Sequence, residues 1–314
     1  MEEIRIGIVG IGHLGAYHLK CYSELAPKAR IVGLCDIKED RTERLASHYK
    51  IPVFTDYKDL LGSVDAVSIC TPTECHHEVA KFFIAKGIHA LIEKPITKTV
   101  AEAEELIALA EKHNVTLQTG HVERFNAAFQ SIMHFTKHPL FIECHRLNQF
   151  SPRSLDIGVV MDLMIHDIDI VLGLNQGVAI EDIQATGVNV LTPLEDIASV
   201  RIRFANGCVC NLTASRISEE VMRKIRIFQK DTYISLDYVQ QEAFIYRKNG
   251  QQILKHALPI EKEQPLKKEL DHFLDCIIKK ERPYVSGYEG KEALRVALEI
   301  SQKIWDLHKS TSLL

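Results

Sequence analysis

The sequence predicts an α/β protein. An N-terminal doubly wound parallel sheet is followed by a C-terminal α+β domain whose open sheet is mostly antiparallel or mixed. Three observations carry this reading. Apolar, β-branched runs alternate with stretches of helical period over the first 120 residues. A Gly-x-Gly-x-x-Gly turn joins the first such run to its helix. Beyond residue 120 the runs change to strands with one polar and one apolar face. The 314 residues suit two domains at about 100–200 residues each, expected at 1–120 and 121–314.

Composition narrows the class. Hydrophobic residues make up 46% and charged residues 25% of the chain, ordinary for a globular protein. Sixteen glycines and ten prolines leave no room for long disordered or collagen-like stretches. The formal net charge of −4 gives no bulk attraction to nucleic acid or anionic lipid, so neither a nucleic acid nor a membrane is expected as a partner. The acidic start Met1-Glu2-Glu3 does not read as a secretory signal. The longest apolar stretch, 157–174, is broken by Asp162, His166, Asp167 and Asp169, which a lipid-facing span would not carry. Eight scattered cysteines without a C-x-x-C pair suggest a reducing, cytoplasmic setting without disulfides.

The first domain is expected to place strands at 4–9, 31–35, 66–70, 90–92 and 115–117. Their runs are apolar throughout, as in strands buried on both faces. Between them, 101–113 puts Ala103, Leu106, Ile107 and Ala110 on one helical stripe. In the second domain, 195–204 alternates, Asn206-Gly207 makes a hairpin turn, and 208–216 pairs back. Further strands are expected at 224–228, 233–236, 243–246 and 253–256, and helices at 158–174, 267–278 and 291–307.

The first turn carries chemistry. The run Ile4–Val9 leads into Gly10-Ile11-Gly12-His13-Leu14-Gly15, which opens a helix. Gly10 permits the tight turn, Gly12 lets a pyrophosphate approach the backbone, and Gly15 lets helix and strand pack closely. Free N–H groups and the helix dipole then bind phosphate. Asp36 ends the second strand, where its carboxylate can accept hydrogen bonds from a ribose 2′-hydroxyl and would repel a 2′-phosphate. NAD is therefore favoured over NADP, although Lys38 and Arg41 follow closely and soften the preference.

Glu93-Lys94-Pro95 ends the strand expected at 90–92, on the sheet edge where α/β folds bind ligands. A lysine there either reaches the ligand or is a surface lysine before a turn-making proline. Asp162 and His166 stand four apart, on one helix face, in the most apolar helix of the chain. They form a working acid–base pair or a satisfied core pair. A metal is not expected, since no third ligand is obvious, and His77-Glu78 lacks the second histidine of H-E-x-x-H. His76 reads as a neighbour of a helix start after Thr71-Pro72-Thr73.

These residues together resemble the glucose–fructose oxidoreductase, inositol dehydrogenase and MocA (Gfo/Idh/MocA) family. The match runs through Gly10 to Gly15, Asp36, Thr71-Pro72 with His76, Glu93-Lys94-Pro95, Gly120 with Arg124 in 121–126, Asp162 with His166 and Asp169, and the C-terminal stretches 269–273, Pro283 and 289–300. It covers nearly the whole chain in order. The resemblance implies an N-terminal Rossmann domain, a C-terminal α/β substrate domain, and a homodimer or homotetramer built through the C-terminal sheet. It implies cofactor binding by Gly10, Gly12, His13, Leu14, Gly15, Asp36, Ile37, Arg41, Thr71, Pro72, His76, Glu93 and Lys94. It also implies catalysis by Lys94, Asp162 and His166, with His121, Arg124, Asn126 and Arg153 joining Asp162 and His166 at the substrate.

The chemistry implied is hydride transfer between a nicotinamide and a sugar carbinol. Lys94 would stabilise negative charge on the reacting oxygen, His166 would take its proton, and Asp162 would orient Lys94 or the substrate. The segments 121–126, 153–156 and 161–169 look most like the branch of UDP-N-acetylglucosamine 3-dehydrogenases, so a sugar or nucleotide sugar is the expected substrate. Arg153, Arg216 and Arg223 are candidates for a diphosphate. A plain sugar, an inositol-type cyclitol, a non-catalytic NAD-binding regulator, and a reductase of an imine, enone or tetrapyrrole stay open as alternatives.

Overall fold

Parallel pairing dominates the first sheet, as runs buried on both faces require. The structure, a computed structural model, describes residues 3–151 and 157–311. In chain order the first elements are β1 (Ile4–Val9), α1 (His13–Ser23), β2 (Ala29–Cys35), α2 (Glu39–Tyr49), β3 (Val53–Phe54), β4 (Ala66–Ile69), α3 (Thr73–Ile84), β5 (His89–Glu93), α4 (Val100–His113) and β6 (Leu117–Gly120). The strands form one six-stranded parallel sheet in the order β3-β2-β1-β4-β5-β6. The order reverses between β1 and β4, the switch point beside which such sheets bind dinucleotides. α4 is fixed at its start by a capping box, with Thr99 and Glu102 satisfying each other's backbone N–H groups.

The second series is α5 (Ala127–Ile132), β7 (Phe141–Leu147), a π-helical turn Val160–Met164 running directly into α6 (Ile165–Leu174), β8 (Ile180–Val188), β9 (Ile197–Phe204), β10 (Val209–Ser215), β11 (Met222–Gln229), β12 (Thr232–Asp237), β13 (Glu242–Asn249) and β14 (Gln252–Ala257). These strands make an eight-stranded mixed sheet, β14-β13-β12-β11-β7-β10-β9-β8. Only the β7–β10 pair is parallel. Alternation sends Ile142, Cys144, Ile225, Ile227, Ile234 and Leu236 to the buried face. Two helices close the chain, α7 (Pro265–Lys279) and α8 (Gly287–Thr311).

The chain divides into two compact units, 1–122 with 264–294, and 123–263 with 295–314. The sequence reading places 121–314 in one domain, whereas the first unit also takes in 264–294. The reason lies in the apolar stripe of α7. Leu270, Phe273, Leu274 and Ile277 pack with Ile6, Leu19, Tyr22 and Leu34 in one buried cluster of the first unit. Among the described residues, no helix is long and apolar enough to cross a membrane.

Candidate active site

In the first unit, three turns meet at the carboxyl edge of the parallel sheet. Gly10 has φ +89°, and a Cβ there would stand 2.7 Å from the backbone of Cys70 and Thr71. A Cβ on Gly15 would stand 1.9 Å from the carbonyl oxygen of Gly10. Both positions therefore exclude any side chain, and α1 begins hard against the strand end. Its N-cap, Gly12, offers no side-chain cap, and the first turn holds no acidic residue. The first amides of α1 thus lack intrahelical acceptors and face an uncancelled dipole, the arrangement that binds phosphate.

Asp36 stands beside this loop. Its Oδ2 accepts the N–H of Ile11 at 2.7 Å and its Oδ1 that of Lys38 at 2.9 Å. Each oxygen keeps a lone pair for a further donor. The next residue, Ile37, is 86% exposed, an apolar surface suited to an adenine face. His13 and Leu14 are exposed at the start of α1. Thr71 Oγ1 is buried with no hydrogen-bond partner among the described residues. A buried hydroxyl in that condition is costly unless a ligand completes it. These features fit a dinucleotide: Gly12, His13 and Leu14 would hold its phosphates, Asp36 a ribose, and Thr71 its nearer portion.

Two residues expected at the cofactor are buried. His76, on α3 just after its N-cap Pro72, is buried, with Nδ1 2.9 Å from the carbonyl oxygen of Pro95 and Nε2 2.9 Å from that of Thr71. Burial pushes its pKa down, so the neutral ring donates to one carbonyl at a time and ties the loop after β4 to the loop after β5. Glu93 is likewise buried, with Oε1 2.8 Å from His18 Nε2. Lys94, immediately after it, is half-buried at the strand end. His121, the last of the first unit's candidates, is buried.

The second unit sorts its polar residues by burial. Asp167 and Asp169 are buried and each is gripped by an arginine. Arg146 sends Nε and Nη2 to Asp167, both at 2.9 Å, and Nη1 to Glu123 at 2.8 Å. Arg124 takes Asp169 from Nε at 2.6 Å and Nη2 at 2.9 Å. Asp162 and His166, from the same helical stretch, are only half-buried. Asp162 lies in a π-helical turn rather than the regular α-helix the sequence suggested. Such turns are frequent at functional sites. Its start is capped by Glu195, which accepts the N–H of Val159 on its carbonyl at 2.9 Å and that of Val160 on Oε1 at 3.3 Å. A Cβ on Gly158 would stand 1.9 Å from that carboxylate.

The remaining candidates have structural duties. The Arg124 guanidinium is held by Asp169. Asn126 caps α5 through Oδ1 to the Ala128 N–H and donates Nδ2–H to the Tyr238 carbonyl, each at 3.1 Å. Arg216 is buried, donating from Nη2 to the carbonyls of Ile157 at 2.6 Å and Glu195 at 3.2 Å, with Asp196 3.5 Å from its Nε. It braces the π-helical turn rather than standing open to a diphosphate. Arg223 differs: it lies opposite Arg146 in the β7–β11 register, and its buried Nε has no partner among the described residues. Arg153 and the side chain of Arg41 lie outside the described residues. Sequence reasoning passed over His18, Glu123, Arg146 and Glu195. The only signal for Arg146 was a cation on the apolar side of an alternating strand. Among the described residues, no group of three or more His, Cys, Asp or Glu side chains is placed to hold a metal ion.

A six-stranded parallel sheet with this glycine turn at its switch point defines a dinucleotide-binding fold of the Rossmann type. Residues 4–121 match the family model described as "Oxidoreductase family, NAD-binding Rossmann fold", and 119–234 match the Gfo/Idh/MocA C-terminal domain. The chain belongs to the Gfo/Idh/MocA family of NAD(P)-dependent dehydrogenases. It is 36% identical over 307 residues to the UDP-N-acetylglucosamine 3-dehydrogenase of Acidithiobacillus ferrooxidans, covering 96% of this chain and 97% of that protein. The solved structure of that enzyme superposes with a TM-score of 0.91 over 97% of this chain and 98% of the other. The myo-inositol 2-dehydrogenase of Thermotoga maritima is 28% identical over 317 residues, 93% of each chain. Levoglucosan dehydrogenase with NADH and levoglucosan shares the fold, at a TM-score of 0.88 and 16% identity over 97% of this chain and 98% of that one.

Proposed function

We propose that the chain transfers hydride between NAD and a secondary hydroxyl of a nucleotide sugar, with the 3-hydroxyl of UDP-N-acetylglucosamine as its substrate position. The observation that carries this reading is the end-to-end likeness to the Acidithiobacillus enzyme, joined to a helix that buries Asp167 and Asp169 in arginine pairs while Asp162 and His166 stay half-buried. Hydride leaves a carbinol carbon only as its oxygen gives up a proton. His166 takes that proton, Lys94 stabilises the charge on the oxygen, and Asp162 orients the lysine or the substrate. NAD, when bound, supplies the hydride acceptor. Asp36 favours NAD over NADP, because a 2′-phosphate would meet its carboxylate. The buried Arg223 Nε, which has no partner among the described residues, favours an anionic substrate, since a guanidinium pairs well with phosphate oxygens.

The second unit also serves assembly in this reading. On the face of its sheet opposite the core, Phe141, Phe228, Tyr233 and Tyr246 stack in a ladder across four strands, centroids 5.5, 4.7 and 4.8 Å apart. An aromatic stripe of this kind suits a contact between copies of the chain, giving a homodimer or homotetramer. The free cysteines suit the reducing cytoplasm.

The likeness to myo-inositol 2-dehydrogenase favours a second reading, a cyclitol dehydrogenase. Purified chain incubated with NAD and a panel of UDP-sugars, free sugars and inositols separates the two by the absorbance of reduced nicotinamide. Turnover of UDP-N-acetylglucosamine, reduced at least about a hundredfold in His166→Ala, is the expected result. Turnover of inositols alone supports the second reading. Cofactor binding with no turnover of any alcohol marks a regulator and overturns both.

A further inference from the structure

Lys94 follows a glutamate that has no room to move. Glu93 ends β5 with its carboxylate buried. One oxygen, Oε1, is 2.8 Å from Nε2 of His18 on α1. The other, Oε2, accepts the backbone N–H of Lys94 at 3.2 Å. His18 is itself fully buried and tied further back: its Nδ1 is 3.3 Å from Ser68 Oγ on β4, and Ser68 Oγ is 2.9 Å from the Tyr22 hydroxyl. The donors can run in one direction. Tyr22 O–H gives to Ser68, Ser68 O–H to His18 Nδ1, and His18 Nε2–H to Glu93. Each proton is then used and the carboxylate sits at the receiving end.

Gly120 closes the opposite side. Its φ does not require glycine, yet a Cβ there would stand 2.8 Å from Cδ and Oε2 of Glu93. The glycine at the end of β6 is therefore explained by the carboxylate of the neighbouring strand, not by backbone strain. In a medium of low dielectric, a carboxylate held this way is costly to shift.

We infer that His18 and Glu93, in the space left by Gly120, form a buried support that positions Lys94 for catalysis and links it to the cofactor-binding helix. The inference rests on Lys94 acting in hydride transfer, as proposed above. The imidazole and the carboxylate are both buried. They act through the lysine, by fixing the backbone from which it extends. His18 lies one turn beyond Gly15, so the helix that receives the phosphates also holds the group that sets Lys94. Small displacements at a reacting centre cost up to about a hundredfold in rate, which makes such a support worth its buried polar groups.

The test uses the full chain with NAD and the alcohol it turns over. His18→Leu is expected to lower kcat at least about tenfold with little change in the KM for NAD. His18→Gln, which keeps a donor toward Glu93, should restore most of the loss. Gly120→Ala, which changes no charge, should reproduce the fall by pressing on the carboxylate. In a Lys94→Ala background, His18→Leu should have no further effect, because the two act as one unit. Should His18→Leu fail to fold, Glu93→Gln, of nearly equal volume, takes its place in that cycle. Losses from His18 and Lys94 that multiply, or a kcat within about twofold of wild type in both His18→Leu and Gly120→Ala, overturn the inference while leaving the role of Lys94 intact. A Lys94→Ala protein that turns over at the wild-type rate overturns that role and this support together.

Discussion

Arg124 closes on Asp169 as a two-pronged fork, Nε to Oδ2 at 2.6 Å and Nη2 to Oδ1 at 2.9 Å, with Nη2 also donating to the Asp169 carbonyl at 2.7 Å. Both side chains are buried. A Cβ on Gly173 would stand 2.0 Å from Arg124 Nη1, so the helix carries a glycine where the guanidinium needs its space. Removing the arginine would leave a buried carboxylate without its counter-charge, which costs about 3–5 kcal/mol. Arg124→Leu should therefore lower the unfolding free energy by an amount of that order, read as a lower urea midpoint. Arg124→Lys should recover only part, since an ammonium cannot make the fork. An unchanged midpoint in Arg124→Leu would show that the pair contributes nothing to the second unit.

Gly15 answers for the cofactor turn. With its Cβ 1.9 Å from the Gly10 carbonyl oxygen, Gly15→Ala must push α1 away from the strand end. Overpacking of this kind costs about 1–3 kcal/mol, and it displaces the amides proposed to hold the phosphates. The expected outcome is a lower melting temperature and loss of the rise that NAD gives the wild-type protein. A full NAD-induced rise in the variant would contradict the assigned phosphate position.

In the proposed function Asp36 sets the preference for NAD over NADP. Replacing it by serine removes the charge that meets a 2′-phosphate and weakens the hold on the Ile11 N–H. Asp36→Ser should lower kcat/KM with NAD and raise the ratio of NADP to NAD by at least about tenfold, since a like-charge contact costs several kcal/mol. A ratio that does not move would mean that another group reads the ribose.

His89 predicts a pH dependence. It opens β5, and its Nδ1 accepts the N–H of Thr116 at 2.8 Å, a bond that needs an unprotonated nitrogen. Burial holds its pKa below the ordinary 6.5, against the opposing pull of Asp65. The unfolded chain therefore takes the proton more readily than the folded one, and the associated stability is lost as pH falls below 6.5. Wild-type melting temperature should drop more steeply than that of His89→Gln between about pH 7.5 and 5. Parallel curves would remove His89 from the acid sensitivity.

Much of the first unit was legible because its signals are local. The run Ile4–Val9, the glycine spacing and the position of Asp36 each follow from one stretch of chain, and the strand ends fall within a few residues of those expected. What the sequence hid depends on partners far away. β7 was missed because the inner side of its alternation is Ile142, Cys144 and Arg146, and the arginine reads as a surface residue until Glu123 and Asp167 are seen to neutralise it. β8 was missed because polar residues and Gly187 interrupt its run. The return of α7 to the first unit could not be read from an amphipathic stripe, which says what a helix buries but not against which sheet. In the site, spacing paired Asp162 with His166, but only the structure separated them from the arginine-bound Asp167 and Asp169. The burial of His76 and Glu93 was equally invisible, since a motif names residues and not the direction of their side chains.

In the proposed function this chain removes hydride from the carbon bearing the 3-hydroxyl of a UDP-linked N-acetylglucosamine. UDP-N-acetylglucosamine carrying deuterium at that carbon tests it most directly, with the reduced nicotinamide analysed by mass spectrometry. One deuterium per reduced cofactor is expected, with transfer lost in Lys94→Ala and His166→Ala. Reduced cofactor that carries no deuterium, or substrate recovered unoxidised from active protein, would contradict it.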